Sequence, residues 1–117
     1  MSVIANIERN QNAIIVRLSG ELDHHSADRV RTLIEEAMMK DNVKHLVMDM
    51  QELTFMDSSG IGVILGRYKQ VKAKGGKLII CNANRSVNRL LELSGLFKII
   101  ERHDDENSAL SSLEVVS

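Results

Sequence analysis

The stretch Leu53-Thr54-Phe55-Met56-Asp57-Ser58-Ser59-Gly60-Ile61-Gly62-Val63-Ile64-Leu65-Gly66-Arg67-Tyr68-Lys69 leads from an apolar strand into a helix. Before it, Val43 to Met50 is a short apolar run that reads as a strand. After it, Ile61, Ile64, Leu65, Tyr68 and Val71 recur at the spacing of one helix face. Lys69, Lys72 and Lys74 favour the negative C-terminal end of that helix, and Gly75-Gly76 ends it. The helix is therefore predicted from about Gly60 to Lys74.

The same pattern extends outward in both directions. Upstream, Val3 to Ile7 and Ala13 to Ser19 read as strands on either side of an Asn10-Gln11-Asn12 turn, with Ile14, Val16 and Leu18 alternating onto one face. A helix follows, with Ala27, Val30, Leu33, Ile34, Ala37 and Met38 inward and Ser26 or Asp23 placed to cap it. Downstream, Leu78 to Cys81 reads as a buried strand. Asn84 caps a helix with Val87, Leu90 and Leu91 inward, and Gly95 ends it. Phe97 to Ile100 reads as a last strand. Asp104 or Asp105 caps a final helix carrying Ala109, Leu110, Leu113 and Val116.

The order β-β-α-β-α-β-α-β-α implies one α/β domain spanning 1–117. It should be a mixed, mostly parallel sheet of about five strands with about four helices packed on it. In such folds, binding sites lie beyond strand C-terminal ends, near helix N-termini. Leu53 to Gly60 occupies such a place.

Composition narrows the function. The chain has 117 residues, 44% hydrophobic and 26% charged, with a formal net charge of −1, and so offers no basic surface of the kind nucleic acid selects. Its few aromatics, Phe55, Tyr68 and Phe97, leave an aliphatic core, with Met48, Met50 and Met56 among its fillers. Cys81 is alone, which fits a reducing compartment. No signal peptide and no membrane-length apolar run is seen, so a cytoplasmic location is expected.

Ser58 and Ser59 stand where the helix should begin, and an ordinary N-cap would account for a serine there. The glycines point further. Gly60, Gly62 and Gly66 would cost roughly 2–3 kcal/mol together in a helix interior. Ser59, Gly62 and Gly66 share one helix face, a strip of bare backbone that either the protein's own sheet or a partner can approach. A phosphate on an exposed serine there adds about −1.5 to −2 charge, which the first-turn amides accommodate but a docked partner beside Asp57 would not.

With these residues in place, the chain resembles the anti-sigma factor antagonists, the STAS family. The resemblance rests on Leu53 to Lys69, on Arg17-Leu18-Ser19-Gly20-Glu21-Leu22-Asp23-His24-His25, on Gly75-Gly76-Lys77-Leu78 and on Leu93-Ser94-Gly95-Leu96-Phe97-Lys98-Ile99-Ile100. It implies a non-enzymatic binding module. The unphosphorylated form would bind an anti-sigma factor that is also a serine kinase, releasing a sporulation sigma factor F. Phosphorylation at Ser58, the first serine after the motif aspartate, would switch it off, and a serine phosphatase would restore it. A stress-response sigma factor served by the same chemistry is the alternative, and a nucleotide-binding protein a second. The expected partner-binding residues are Asp23, Asp57, Ser58, Ser59, Gly60, Ile61, Gly62, Gly66 and Arg67.

Two of these keep a second reading. Asp23 serves either a partner's basic residue or a helix cap, and Arg67 touches the partner or is solvated, with the solvated reading favoured. His24 and His25 are adjacent in an extended segment and point apart, so neither a metal site nor a cofactor is expected. Asp57-Ser58 lacks the Gly-x-Ser-x-Gly elbow and a paired histidine, with His45 on a strand and His103 in a loop, so no catalytic residue is expected.

Overall fold

The computed structural model describes residues 2–116, with side chains as far as residue 114. Strands β1 (Val3–Asn10) and β2 (Ala13–Leu22) form an antiparallel hairpin, paired from Val3↔Gly20 to Asn10↔Ala13. Strands β3 (His45–Met56), β4 (Leu78–Cys81) and β5 (Glu101–His103) follow in parallel, so the sheet order is β1-β2-β3-β4-β5. Helices α1 (Ala27–Met38), α2 (Ser58–Ala73) and α3 (Arg85–Leu93) are the crossovers, and α4 (Glu106–Val116) closes the described chain. The expected mixed, mostly parallel sheet with four helices is the architecture observed.

Because the parallel crossovers step in one direction and share one hand, their helices fall on one face of the sheet. Ile14, Val16, Leu18, Leu46, Met48, Met50, Leu78 and Ile80 point to that face and meet Val30, Ile34, Val63, Ile64, Val87 and Leu91. The alternate residues Ala13, Ile15, Val47, Ile79 and Cys81 point to the other face, where Ala109 and Leu113 of α4 cover them. Coverage of both faces explains the continuous apolar runs of the central strands.

Three expectations need correction. Phe97 to Ile100 is not a strand. Gly95, at φ 82°, ends α3, and Leu96–Lys98 winds into a 3₁₀ turn with the Ile100 amide bonded to the Leu96 carbonyl. Leu96 and Ile100 both point inward, a one-turn spacing that an apolar run of this length does not distinguish from a strand, and pairing resumes only at Glu101. Strand β3 runs to Met56 rather than Met50, through two irregularities in its register with β2. Correspondingly, β2 runs on through Gly20 to Leu22 rather than ending at Ser19. The Asn84 cap is as expected, its side chain accepting the Val87 amide at 3.1 Å. Asp105 serves α4, accepting the Ser108 amide at 2.8 Å. The side chain of Val116 lies outside the described residues.

Candidate functional site

The site is built at the C-terminal ends of β2 and β3, the middle of the sheet. Leu22 pairs with Met56, and the Asp57 amide donates to the Leu22 carbonyl at 3.3 Å. The residues immediately beyond this pair are Asp23 and Asp57, so the two aspartates that the sequence separates are brought to one edge.

Asp57 is the N-cap of α2. Its backbone is extended and its Oδ1 accepts the Ser59 amide at 2.8 Å. The cap expected of the serines therefore belongs to the aspartate, whose carboxylate also suits the positive helix end. Ser58 takes the first helical position, exposed, and its hydroxyl bonds to no described residue. Serine is thus not needed here to begin the helix.

The glycines divide. A Cβ on buried Gly60 would lie 2.5 Å from Met56 Cγ and 3.2 Å from Leu22 Cδ2, so this glycine lets α2 close onto its own sheet. Gly60 is internal packing, not free contact surface. Cβ atoms at Gly62 and Gly66 would meet nothing within 4 Å. These two, with half-buried Ser59, form the outward strip. Leu65 joins them at 37% exposure and Phe55 stands ahead of Ser58 at 48%. Both are apolar residues the sequence did not assign to the site. Phe55 is signalled only by its place beside Asp57 and Ser58, and Leu65 belongs to the apolar face that helical spacing turns inward.

The buried side of α2 is Gly60, Val63, Ile64, Arg67 and Val71. It is turned by about one residue from the Ile61-Ile64-Leu65-Tyr68-Val71 face expected. Ile61 and Tyr68 are half-buried against the core. Arg67 consequently lies inside rather than in solvent, at 6% exposure. Its Nη1 is 3.4 Å from the Arg31 carbonyl and its Nη2 3.5 Å from Glu35 Oε2, both on α1. Burial pushes the guanidinium below its ordinary value, against the pull of Glu35. Its Nε, and the Oε1 of neighbouring Gln70, have no partner among the described residues.

Asp23 shapes the turn into α1. Its Oδ1 accepts the His25 amide at 2.9 Å and the Ser26 amide at 3.1 Å, while Ser26 Oγ donates to the Glu21 carbonyl at 2.9 Å. Ser26, the N-cap residue, makes no side-chain cap bond. Desolvation of the Asp23 carboxyl works to raise its value, but these hydrogen bonds prevail and hold it below the ordinary range. The site therefore has an acidic rim, a free serine hydroxyl and a bare apolar strip.

The sequence profile of the STAS domain matches residues 5–109. The chain belongs to the STAS domain family. Among STAS relatives, the chain is 50% identical over 117 residues to the anti-sigma F factor antagonist of Paenibacillus polymyxa, covering all of both chains. It is 32% identical over 101 residues to the anti-sigma-B factor antagonist of Bacillus subtilis (strain 168), covering 86% of this chain and 91% of that one. The anti-sigma factor antagonist SpoIIAA has been solved in two forms. The unphosphorylated form matches the STAS fold of this chain with a TM-score of 0.74 at 27% identity, over 93% of this chain and 96% of that one. The phosphorylated Bacillus form matches with a TM-score of 0.74 at 30% identity, over 93% and 98%.

Proposed function

We propose that this chain is an anti-sigma factor antagonist that binds an anti-sigma factor through the start of α2 and is switched off by phosphorylation of Ser58. The unphosphorylated protein would occupy an anti-sigma factor that is also a serine kinase, setting the sporulation sigma factor F free. Transfer of phosphate to Ser58 ends that binding, and a serine phosphatase reverses it. The greater likeness to a sigma F antagonist than to a sigma-B antagonist supports the sporulation branch.

One observation carries the reading: Ser58 is exposed and its hydroxyl is unengaged, because Asp57 caps the helix in its place. A hydroxyl that holds nothing together can be modified without breaking anything. The phosphate would sit at the positive helix end, which tolerates an anion. Arg67, the first cation along α2, is spent on α1 and lies about 13 Å further along the helix. The added charge therefore remains at the surface beside Asp57 and Asp23, where a partner must dock. Asp23, Asp57, Ser58, Ser59, Gly62 and Gly66 form this contact, with Leu65 and Phe55 adding apolar area; Ile61, Gly60 and Arg67 support it from within.

Incubation with the cognate kinase and ATP tests the assignment. Intact mass should rise by a single phosphate for wild type and stay unchanged for Ser58→Ala. An unmodified wild type, or an equal gain in Ser58→Ala, would overturn it.

A further inference from the structure

The outer face of α3 is not used by the Ser58 site. The helix packs on the sheet through Val87 and Leu91, both buried, and turns Arg85, Arg89 and Leu93 to solvent. These three are spaced i, i+4, i+8, so they form one stripe with about 6 Å between successive positions. Leu93, at 76%, is the most exposed large apolar side chain among the described residues. The two arginines differ from the others of the chain. Arg9, Arg17, Arg29, Arg31, Arg67 and Arg102 each donate to a protein acceptor. Arg85 and Arg89 have neither a hydrogen bond nor an ion pair among the described residues. Glu92, the one acid of α3, is drawn away from them: its Oε1 accepts Asn88 Nδ2 at 2.6 Å and lies 3.7 Å from Arg102 Nη1 of β5. Arginine is enriched in interfaces, and an aliphatic side chain can anchor in a pocket there.

We propose that this stripe is the docking surface for the serine phosphatase, which meets it with an acidic segment. The inference rests on the Ser58 switch proposed above. A partner that must let go of the phosphorylated form has to place its contacts where the phosphate disturbs them. A contact out of reach of the phosphate holds both forms equally and adds nothing to the discrimination. The enzyme that removes the phosphate has the opposite need. It must hold the form whose α2 start has gained charge beside Asp57 and Asp23, and a surface that modification leaves unaltered serves it. The α3 stripe is such a surface. The α3 cap, Asn84, donates through Nδ2 to the Leu53 carbonyl, and β3 continues for about 10 Å beyond Leu53 before α2 begins. From Arg85 the stripe then runs away from Ser58, down the sheet. Its complement is a segment with two carboxylates about 6 Å apart, each taking a guanidinium bidentately, and an apolar pocket one turn further on for Leu93. Two charges in a chain of net charge −1 suit an acidic protein segment rather than the continuous phosphate backbone of a nucleic acid.

Steady-state dephosphorylation tests the surface. Ser58-phosphorylated wild type, Arg85→Glu/Arg89→Glu and Leu93→Ser are turned over by the phosphatase, and the unmodified forms are titrated with the anti-sigma kinase. All three side chains are exposed, and a carboxylate at the first position of α3 suits the positive helix end, so the variants keep the fold. In the double variant KM should rise about tenfold or more with kcat little changed, the signature of a lost contact away from the reacting atoms. Leu93→Ser should raise KM in the same direction. Added salt should bring the wild-type KM towards that of the double variant. Kinase binding by the unmodified variants should match that of wild type. An unchanged KM in the double variant overturns the docking surface. So does an equal loss of kinase binding, which would place α3 in the contact shared by both enzymes. A phosphatase that fails to turn over wild type overturns the reversible switch itself, and this surface with it.

Discussion

Asp57 Oδ1 accepts the Ser59 amide at 2.8 Å, and this bond passes over Ser58, leaving its hydroxyl free at the first position of α2. The structural cap and the proposed switch thereby fall to adjacent residues. Asp57→Ala should cost about 1 kcal/mol of stability by removing the cap. Ser58→Ala should cost almost nothing. Urea denaturation of both variants checks the division, and a comparable loss in Ser58→Ala would show that the serine is structural after all.

The glycines of α2 should respond in opposite directions. Gly60→Ala drives a methyl into Met56 and Leu22 and should destabilise by about 1–3 kcal/mol. Gly62→Ala and Gly66→Ala meet open space and should each stabilise the free protein by up to about 1 kcal/mol. If the outward strip is the contact surface, the same two substitutions weaken anti-sigma factor binding. Thermal melts paired with a binding titration read both effects, and unchanged binding by Gly62→Ala and Gly66→Ala would remove the strip from the interface.

Arg67 is a desolvated cation with weak partners and an Nε that finds no partner among the described residues. Replacing such a group by an apolar residue of similar length is often neutral or favourable. Arg67→Met should therefore match wild type within about 1 kcal/mol or exceed it. A loss above about 3 kcal/mol by denaturant unfolding would show that the link to Glu35 is strongly stabilising.

Acid stability should depend on Glu106. The hydrogen bonds from Arg17 hold its carboxyl down at about 2. A depressed folded value stabilises above the unfolded value and is lost as pH falls through the folded one. Unfolding free energy should thus decline as pH drops from about 4.5 towards 2, and the Glu106→Gln variant should lose part of that slope. An identical acid profile for the two proteins would contradict the role given to the Arg17 pair.

Much of this was legible in the chain, and the failures share a cause. Alternation at Ile14, Val16 and Leu18 and the helical spacing around Val30 and Ile34 report burial directly, so the sheet and its crossovers could be read. Helix α2 was misjudged by about one residue of rotation because its inner face contains Gly60 and Arg67, which hydrophobic spacing does not count, while Leu65 faces out. The cap was assigned to serine because Asp and Ser are near-equivalent caps, and only the backbone geometry distinguishes them. The joining of Asp23 to Asp57 depends on the register Leu22↔Met56 across two irregular pairings, which no local pattern encodes.

The central claim is that phosphate at Ser58 changes what the start of α2 binds while the fold persists. The direct measurement is a binding titration of the anti-sigma kinase with unmodified and Ser58-phosphorylated protein, with the thermal melt of each recorded in the same buffer. The account predicts tight binding by the first, clear loss by the second, and nearly equal melting temperatures. Equal binding by the two forms, or a loss of binding accompanied by unfolding of the phosphorylated chain, would contradict it.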